Sequence, residues 1–158
     1  MIHRLFRHLQ KSPSDHLKSR DAYAKWAANY PPTPHNVLME IEQNVMLDVM
    51  PSLEDKVVLD LACGTGRYGL IALEQGAKSV FGVDDSFDML KKSPLKQLTS
   101  GSMAQIPLQD ACIDVVICGL AVGHFSDLNI ILKEIARVLV KGGTAVISDF
   151  HPFLYLSG

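Results

Sequence analysis

The sequence has little of what marks disulfide-rich, metal-binding and membrane proteins. Its three cysteines, Cys63, Cys112 and Cys118, have no zinc-finger spacing and no accompanying histidine cluster. Their number is odd and two lie in apolar surroundings, which argues against a disulfide framework and favours a reducing, cytoplasmic environment. No apolar run approaches the length of a membrane span. We therefore expect a chain with no metal site and no membrane partner.

An excess of basic charge is also missing. Fifteen Lys and Arg residues stand against 17 Asp and Glu residues, which gives a formal net charge of −2. Because nucleic-acid surfaces are usually basic, this balance predicts that nucleic acid is not the substrate. With 158 residues, 47% of them hydrophobic, the chain has enough apolar material for one core.

The first fourteen residues, MIHRLFRHLQKSPS, form a basic segment without an acidic residue. Ile2, Leu5, Phe6 and Leu9 share one helical face, a pattern found in transit peptides and in helices that lie on membranes. So short a pattern also arises by chance, and we favour a short packing helix at the N-terminus.

Further along the chain, the hydrophobic pattern changes from helical to alternating. Helices are predicted at Asp21–Asn29 and at about His35–Met50, which make residues 1–50 an N-terminal helical cap. Residues 51–158 then form an α/β unit, within one structural domain overall. Its predicted strands are Val57–Ala62, Ser79–Asp84, Gln97–Ser102, Ile113–Gly119 and Thr144–Phe150. Its helices are predicted at 66–75, from Ser86 to Lys92, and from Ser126 or Asp127 to Gly142–Gly143. This alternation predicts a doubly wound, mostly parallel sheet.

A glycine-rich turn follows the first predicted strand in VVLDLACGTGRYGL, residues 57–70. Gly64, Gly66 and Gly69 spell G-x-G-x-x-G, the dinucleotide-binding fingerprint. Asp84 ends the second strand, where a carboxylate accepts hydrogen bonds from ribose hydroxyls. The pattern predicts a site for an adenosine-containing cofactor and leaves NAD among the candidates.

Asp60 stands in the strand just before the glycines, where its carboxylate would repel a pyrophosphate. It would instead attract an ammonium group. S-adenosylmethionine carries an amino acid at one end and adenosine at the other, so Asp60 and Asp84 fit one end each. Asp60 can also hold the loop by accepting hydrogen bonds from backbone N–H groups, and the two roles are compatible.

Five short motifs in register resemble those of the class I S-adenosylmethionine-dependent methyltransferases, of the type 11 or malonyl-carrier-protein O-methyltransferase kind. They are DLACGTG (60–66), GVDDSFDML (82–90), GSMAQIPL (101–108), IDVVICGLAVGHF (113–125) and RVLVKGGTAVISDF (137–150). The resemblance implies a Rossmann-like α/β sheet with strand order 3-2-1-4-5. The family's sheet has seven strands, and this chain lacks the last two, which form a C-terminal hairpin. An edge left open on the fifth strand predicts a dimer or a partner chain that covers it.

The resemblance also implies which residues hold the cofactor. Asp60 and the loop backbone would hold the methionine part, Asp84 the ribose, and Ser102, where the family usually has Asp, the adenine. The stretch YAKWAANY, residues 23–30, resembles a segment that lies over the cofactor. The implied binding residues are Asp60, Ala62, Cys63, Gly64, Thr65, Gly66, Asp84, Asp85, Met89, Ser102, Met103, Gly119, Leu120, Ala121 and Tyr30.

Few residues are candidates for the chemistry itself. His124, just after the fourth strand, is the candidate general base, and His151 is a weaker one. Arg67 either meets the cofactor's carboxylate or is solvated, and Asp114 is expected to be structural. We expect an S-adenosylmethionine-dependent methyltransferase that acts on a small molecule or a carrier-bound acyl group. The alternatives are an NAD-dependent oxidoreductase and a catalytically inactive, truncated cofactor-binding fragment.

Overall fold

The computed structural model describes residues 26–125 and 127–150, which form a single five-stranded parallel sheet with helices around it. Two short 3₁₀ helices lie at Ala27–Asn29 and Val122–His124. The helices are α1 (Val37–Val49), α2 (Arg67–Glu74), α3 (Phe87–Leu90) and α4 (Leu128–Val138). The strands are β1 (Val57–Leu61), β2 (Ser79–Asp84), β3 (Gln97–Ser100), β4 (Ile113–Gly119) and β5 (Leu139–Ser148).

Some predictions fall on residues outside the described ranges. They concern the basic segment 1–14, His151, and residues 21–25 of the helix expected at Asp21–Asn29. The described remainder of that helix is the 3₁₀ helix Ala27–Asn29.

The strand order β3-β2-β1-β4-β5 confirms the predicted α/β topology. β1 pairs with β2 from Val57↔Ser79 to Leu61↔Val83, and with β4 from Val58↔Val115 to Asp60↔Ile117. The order reverses between β1 and β4, and ligands of such sheets bind beyond the carboxyl ends of the strands at that point. Among the described residues, β5 pairs with β4 alone.

Apolar side chains cover both faces of the sheet, as alternation along each strand requires. Leu59 and Leu61 of β1 pack in one cluster with Ile131 and Ile135 of α4. The opposite face holds a second cluster, which contains Met46, Leu53, Val58, Tyr68, Ala72 and Ile117. Because Met46 lies on α1, this helix packs directly on the sheet.

Polar side chains fix where the helices begin. The side chain of Asn36 accepts a hydrogen bond from the backbone N–H of Met39 at 2.9 Å and caps α1. Asp127 caps α4 in the same way, through the N–H of Asn129 at 2.9 Å. No helix of the described part of the chain has both the length and the apolar character needed to cross a bilayer.

The prediction that the last helix extends to Gly142–Gly143 is wrong. α4 ends at Val138, and the chain turns at once into β5. Leu139 pairs with Ile113, but the next pairs join Val115 to Thr144, so the added residues form an irregularity in the strand. Gly142 has φ +83°, a left-handed conformation that suits glycine in such a bulge.

Polar side chains hold β1 against β4 and fix the loop 101–112. Asp114 accepts a hydrogen bond from the N–H of Val57 at 2.8 Å, so its expected structural role is confirmed. Arg137 donates to the carbonyls of Ile106 (2.8 Å) and Leu108 (2.9 Å), while Glu134 accepts from the N–H of Ile106 at 2.8 Å. These bonds hold the 101–112 loop against α4.

Candidate functional site

A cleft opens at the carboxyl ends of β1, β2 and β4, where the order of the strands predicts a ligand. We call it the main cleft. Its lining residues are Tyr30, Pro31, Met39, Asp60, Ala62, Cys63, Gly64, Thr65, Arg67, Tyr68, Asp84, Asp85, Met89, Gly101, Met103, Gly119, Leu120, Ala121, His124 and Phe125. All the binding residues expected from the sequence are among them except Gly66 and Ser102. The structure thus gathers residues that lie far apart in the chain.

Three residues in the turn between β1 and α2 have a left-handed backbone conformation. Ala62, Gly64 and Gly66 have φ values of +57°, +53° and +94°. A Cβ added to Gly64 would meet no heavy atom within 4 Å. The backbone of Gly64 therefore faces open space in the main cleft and can approach a ligand closely.

Asp60 is buried beneath this turn, with 2% of its surface exposed. Its Oδ2 accepts a hydrogen bond from the N–H of Gly69 at 2.7 Å, so the carboxylate ties β1 to α2. Burial is the main reason that the pKa of Asp60 rises from 3.8 to about 7; the Gly69 bond and Arg67 oppose the rise, and the nearby charge of Asp84 adds to it. A cationic group in the cleft would stabilise the ionised form.

Asp84 lies at the end of β2 and is hydrogen-bonded to the glycine turn. Its Oδ2 accepts from the N–H of Gly64 at 2.7 Å, and its Oδ1 accepts from the N–H of Ser86 at 2.8 Å. Burial raises the pKa of Asp84, and these two hydrogen bonds oppose the rise. Each carboxylate oxygen retains a second lone pair, which can accept a ligand hydroxyl.

A buried polar cluster lies behind the turn, and Glu42 of α1 is its centre. Glu42 pairs with the guanidinium of Arg67 at 2.8 Å and accepts from the hydroxyl of Tyr68 at 2.6 Å. Ser148 at the end of β5 also donates to it. The Arg67 side chain is only 11% exposed, so the solvated alternative for this residue is wrong.

The Tyr68 ring lies under the Arg67 guanidinium, whose carbon is 4.3 Å from the ring centre. Burial, together with its hydrogen bond to Glu42, raises the pKa of the Tyr68 hydroxyl well above its ordinary range. Sequence reasoning missed Glu42 and Tyr68, because no local motif marks a glutamate that reaches the site from another helix.

Two expected binding residues lie outside the main cleft. Gly66 is the N-cap of α2, and a Cβ there would meet Ser93 Oγ at 2.6 Å and Leu95 Cδ1 at 3.1 Å. A side chain at this position would therefore clash, and the binding role of Gly66 stays a prediction. Ser102 is exposed, and its hydroxyl accepts from the N–H of Ala104 at 3.1 Å, while Gly101 and Met103 on either side line the cleft.

The opposite wall contains His124 and Phe125, which follow β4 through the 3₁₀ helix Val122–His124. His124 is exposed at the cleft and stays a candidate base. Cys63 and Cys118 are poor nucleophiles, because burial raises the pKa of each thiol, that of Cys118 to about 12.

A second cavity adjoins the main cleft, and we call it the aromatic cavity. Its lining residues are Trp26, Asn29, Tyr30, His35, Asn36, Met39, Leu120 and Phe150. The rings of Tyr30 and His35 meet edge to face, with centres 4.6 Å apart and planes at 74°. Tyr30, Met39 and Leu120 line both spaces.

Several known proteins resemble this chain in sequence or in fold. The demethylmenaquinone methyltransferase of Lactococcus lactis is 35% identical over 117 residues, which are 66% of this chain and 46% of that protein. The malonyl-[acyl-carrier protein] O-methyltransferase of Hamiltonella defensa is 30% identical over 107 residues, 65% of this chain and 41% of that protein. The crystal structure of an S-adenosylmethionine dependent methyltransferase from Mesorhizobium loti superposes with a TM-score of 0.66 at 26% identity, over 70% of this chain and 53% of that one.

The chain spans about half the length of these relatives. A family described as a methyltransferase domain matches residues 59–147, from the middle of β1 almost to the end of β5. This range contains both buried aspartates, the glycine turn, three strands in full (β2, β3 and β4) and most of β1 and β5. On the extent of this match and the shared fold, the chain belongs to the methyltransferase domain family.

Proposed function

We propose that the chain binds S-adenosylmethionine in the main cleft and belongs to an enzyme that transfers its methyl group to a small molecule or a carrier-bound acyl group. The observation that carries this proposal is the pair of buried carboxylates, Asp60 and Asp84, on either side of a glycine turn that faces open space.

The residues present fit this cofactor better than they fit NAD. Asp60 lies where a dinucleotide's pyrophosphate would meet the turn, and burial already makes its negative charge costly. A second negative charge would raise that cost, whereas an ammonium group would lower it. The G-x-G-x-x-G pattern remains compatible with NAD, so NAD is the competing ligand in the test below.

Each part of the cleft has a distinct task in this proposal. Asp60 and the backbone from Ala62 to Thr65 hold the amino-acid end, and Asp84 accepts from the ribose hydroxyls. Met89 and Met103 supply apolar surface for the adenine.

The chemistry that this cofactor supplies is an activated methyl group, whose bond to sulfur breaks with the electron pair left on sulfur while the acceptor donates the pair for the new bond. The chain's residues mainly position the reactants and exclude water, which can contribute about 7–11 kcal/mol at best. Where the acceptor is a hydroxyl, its proton must leave, and His124 at the cleft wall can accept it.

Calorimetry with the purified chain tests the proposal. We expect saturable binding of S-adenosylmethionine and of its demethylated product, S-adenosylhomocysteine, with NAD much weaker. Tight NAD binding without a response to either sulfur compound would overturn the proposal in favour of an oxidoreductase. If the cofactor binds but purified chain transfers no methyl group to any acceptor tried, the inactive-fragment alternative is the better description.

We also propose a domain organisation, a location and a partner for the chain. Residues 1–50 act as a cap on the domain 51–158, which the presence of Tyr30 and Met39 in the main cleft supports. The free cysteines suit a cytoplasmic location. A second copy or a partner chain covers the β5 edge, because a strand with an unpaired edge tends to pair with another chain.

A further inference from the structure

We propose that the aromatic cavity is the acceptor site and that it selects an acceptor with a neutral aromatic ring. This inference rests on the function proposed above. The relatives do not decide the acceptor's chemistry, because their names include both a malonyl-carrier substrate and demethylmenaquinone.

The aromatic cavity lies directly beside the main cleft. Tyr30, Met39 and Leu120 form a wall shared by the main cleft and the aromatic cavity. Leu120 directly follows the carboxyl end of β4 and has φ +57°, so the chain bends sharply between the two spaces. A molecule in the aromatic cavity therefore lies next to a ligand in the main cleft.

The lining of the aromatic cavity is rich in rings. Trp26, Tyr30, His35 and Phe150 bring four rings to one cavity. Aromatic side chains bind planar rings through stacked or edge-to-face contacts, the second of which Tyr30 and His35 already make with each other. An extended acyl chain would gain less from these ring faces than a planar ring would.

The charge of the lining also restricts which acceptors can bind. No Asp, Glu, Lys or Arg is among the described residues that line the aromatic cavity. Arg67 in the neighbouring cleft is paired with Glu42. Apart from the imidazole of His35, whose ring meets that of Tyr30, the described lining offers a carboxylate acceptor no side chain that can carry positive charge, so such an acceptor would lose its hydration without a Lys or Arg to pair with, which is costly.

The test uses the full chain and two probes with one ring, p-cresol and p-toluate, at pH 8. The first is a neutral phenol and the second is its carboxylate counterpart. Trp26 is the only tryptophan in the sequence, so its indole N–H signal in a ¹H–¹⁵N spectrum needs no further assignment and reports on this cavity. We expect p-cresol to shift that signal saturably and to bind at least about fivefold more tightly than p-toluate.

Matched variants locate the site. Phe150→Ala is expected to weaken p-cresol binding about threefold to tenfold, the range of an aromatic contact. Phe87→Ala removes an exposed ring outside the cavity and is expected to leave p-cresol binding unchanged. Asn29→Lys adds a cation at an exposed lining position and is expected to reverse the preference, so that p-toluate binds more tightly.

Three results would each overturn the inference: no saturable shift with p-cresol, equal or tighter binding of p-toluate to the native chain, or equal effects of the two Phe→Ala variants. Should Phe150→Ala fail to fold, Asn29→Lys still decides the question, since an unchanged preference contradicts the proposed charge selection. S-adenosylhomocysteine is titrated separately. If it binds while p-cresol does not, this inference fails alone; if p-cresol binds while it does not, the proposed function fails, and the cavity binds a ring without being an acceptor site.

Discussion

Replacing Asp60 by Asn is expected to make the protein more stable at alkaline pH and a poorer binder of the cofactor. The Asn carbonyl can still accept the 2.7 Å hydrogen bond from the N–H of Gly69, so the link between β1 and α2 survives. The substitution removes the buried charge and turns the other oxygen into an amide NH2 group, a change whose cost does not depend on pH. It therefore separates the carboxylate's contribution to the fold from its contribution to binding.

The sign and size of the effect come from the raised pKa. Burial lifts the pKa of Asp60 from 3.8 to about 7, so the folded chain binds this proton more tightly than the unfolded chain does. The contribution of Asp60 to stability is greatest below pH 3.8 and falls as the pH rises toward the folded pKa of about 7. At 1.36 kcal/mol for each pH unit, the native chain loses roughly 3 kcal/mol between pH 5 and pH 8 that the Asn variant keeps.

Thermal unfolding at pH 5 and pH 8 measures the difference. At about 2–4 °C per kcal/mol for a chain of this size, the Tm advantage of Asp60→Asn should grow by roughly 6–12 °C between the two values. Calorimetry at pH 8 should show S-adenosylmethionine affinity reduced about tenfold or more, because a charge-assisted bond contributes about 1.5–3 kcal/mol. Asp88→Asn, at an exposed carboxylate paired with Lys91, is the control and should change neither quantity.

Two outcomes would refute the reasoning. If the Tm difference between Asp60→Asn and the native chain is the same at pH 5 and pH 8, burial does not penalise the charge as argued. If affinity is unchanged while stability rises, Asp60 serves the loop alone and does not contact the ligand's ammonium group.

Further substitutions test the rest of the site. Asp84→Ala should weaken S-adenosylmethionine binding by about 1.5–3 kcal/mol in calorimetry, and an unchanged Kd would mean that the ribose lies elsewhere. Gly64→Ala should abolish binding, whereas Gly142→Ala should preserve it; both glycines have positive φ and open space at Cβ, so similar losses of affinity would indicate strain alone. Glu42→Leu should cost about 3–5 kcal/mol in chemical denaturation, because Arg67 is left buried and unpaired. Adding Arg67→Met should recover much of that loss, and no recovery would contradict the ion-pair explanation.

Local patterns predicted most of the fold. Apolar runs such as 113–119 mark strands buried on both faces, and β2 and β4 begin and end where the sequence predicted. The boundary at α4 could not be predicted. Leu139 follows a helical pattern, and only its pairing with Ile113 on β4 makes it the first residue of a strand.

For the site, too, some features could be predicted from the sequence and others could not. Gly64 and Asp60 were recognisable because they lie beside one turn, and Asp84 because it ends the second strand 20 residues after Gly64, as the dinucleotide-binding pattern requires. The motif predicts Gly66 as a binding residue, and only the structure shows that a side chain there would also meet Ser93 and Leu95, which are distant in sequence. A motif shows which residues surround a turn, but not which of them face the ligand.

The sequence alone thus indicated the strand order through its resemblance to a family, and the glycine turn and the two carboxylates through motifs whose spacing along the chain is fixed. Only the tertiary structure decided that Glu42 of α1 holds Arg67 and Tyr68 behind the cleft. It also decided that Trp26 and Phe150, at opposite ends of the described chain, share one cavity. Both arrangements arise from packing between segments more than twenty residues apart, and such contacts leave no periodic signal in the sequence.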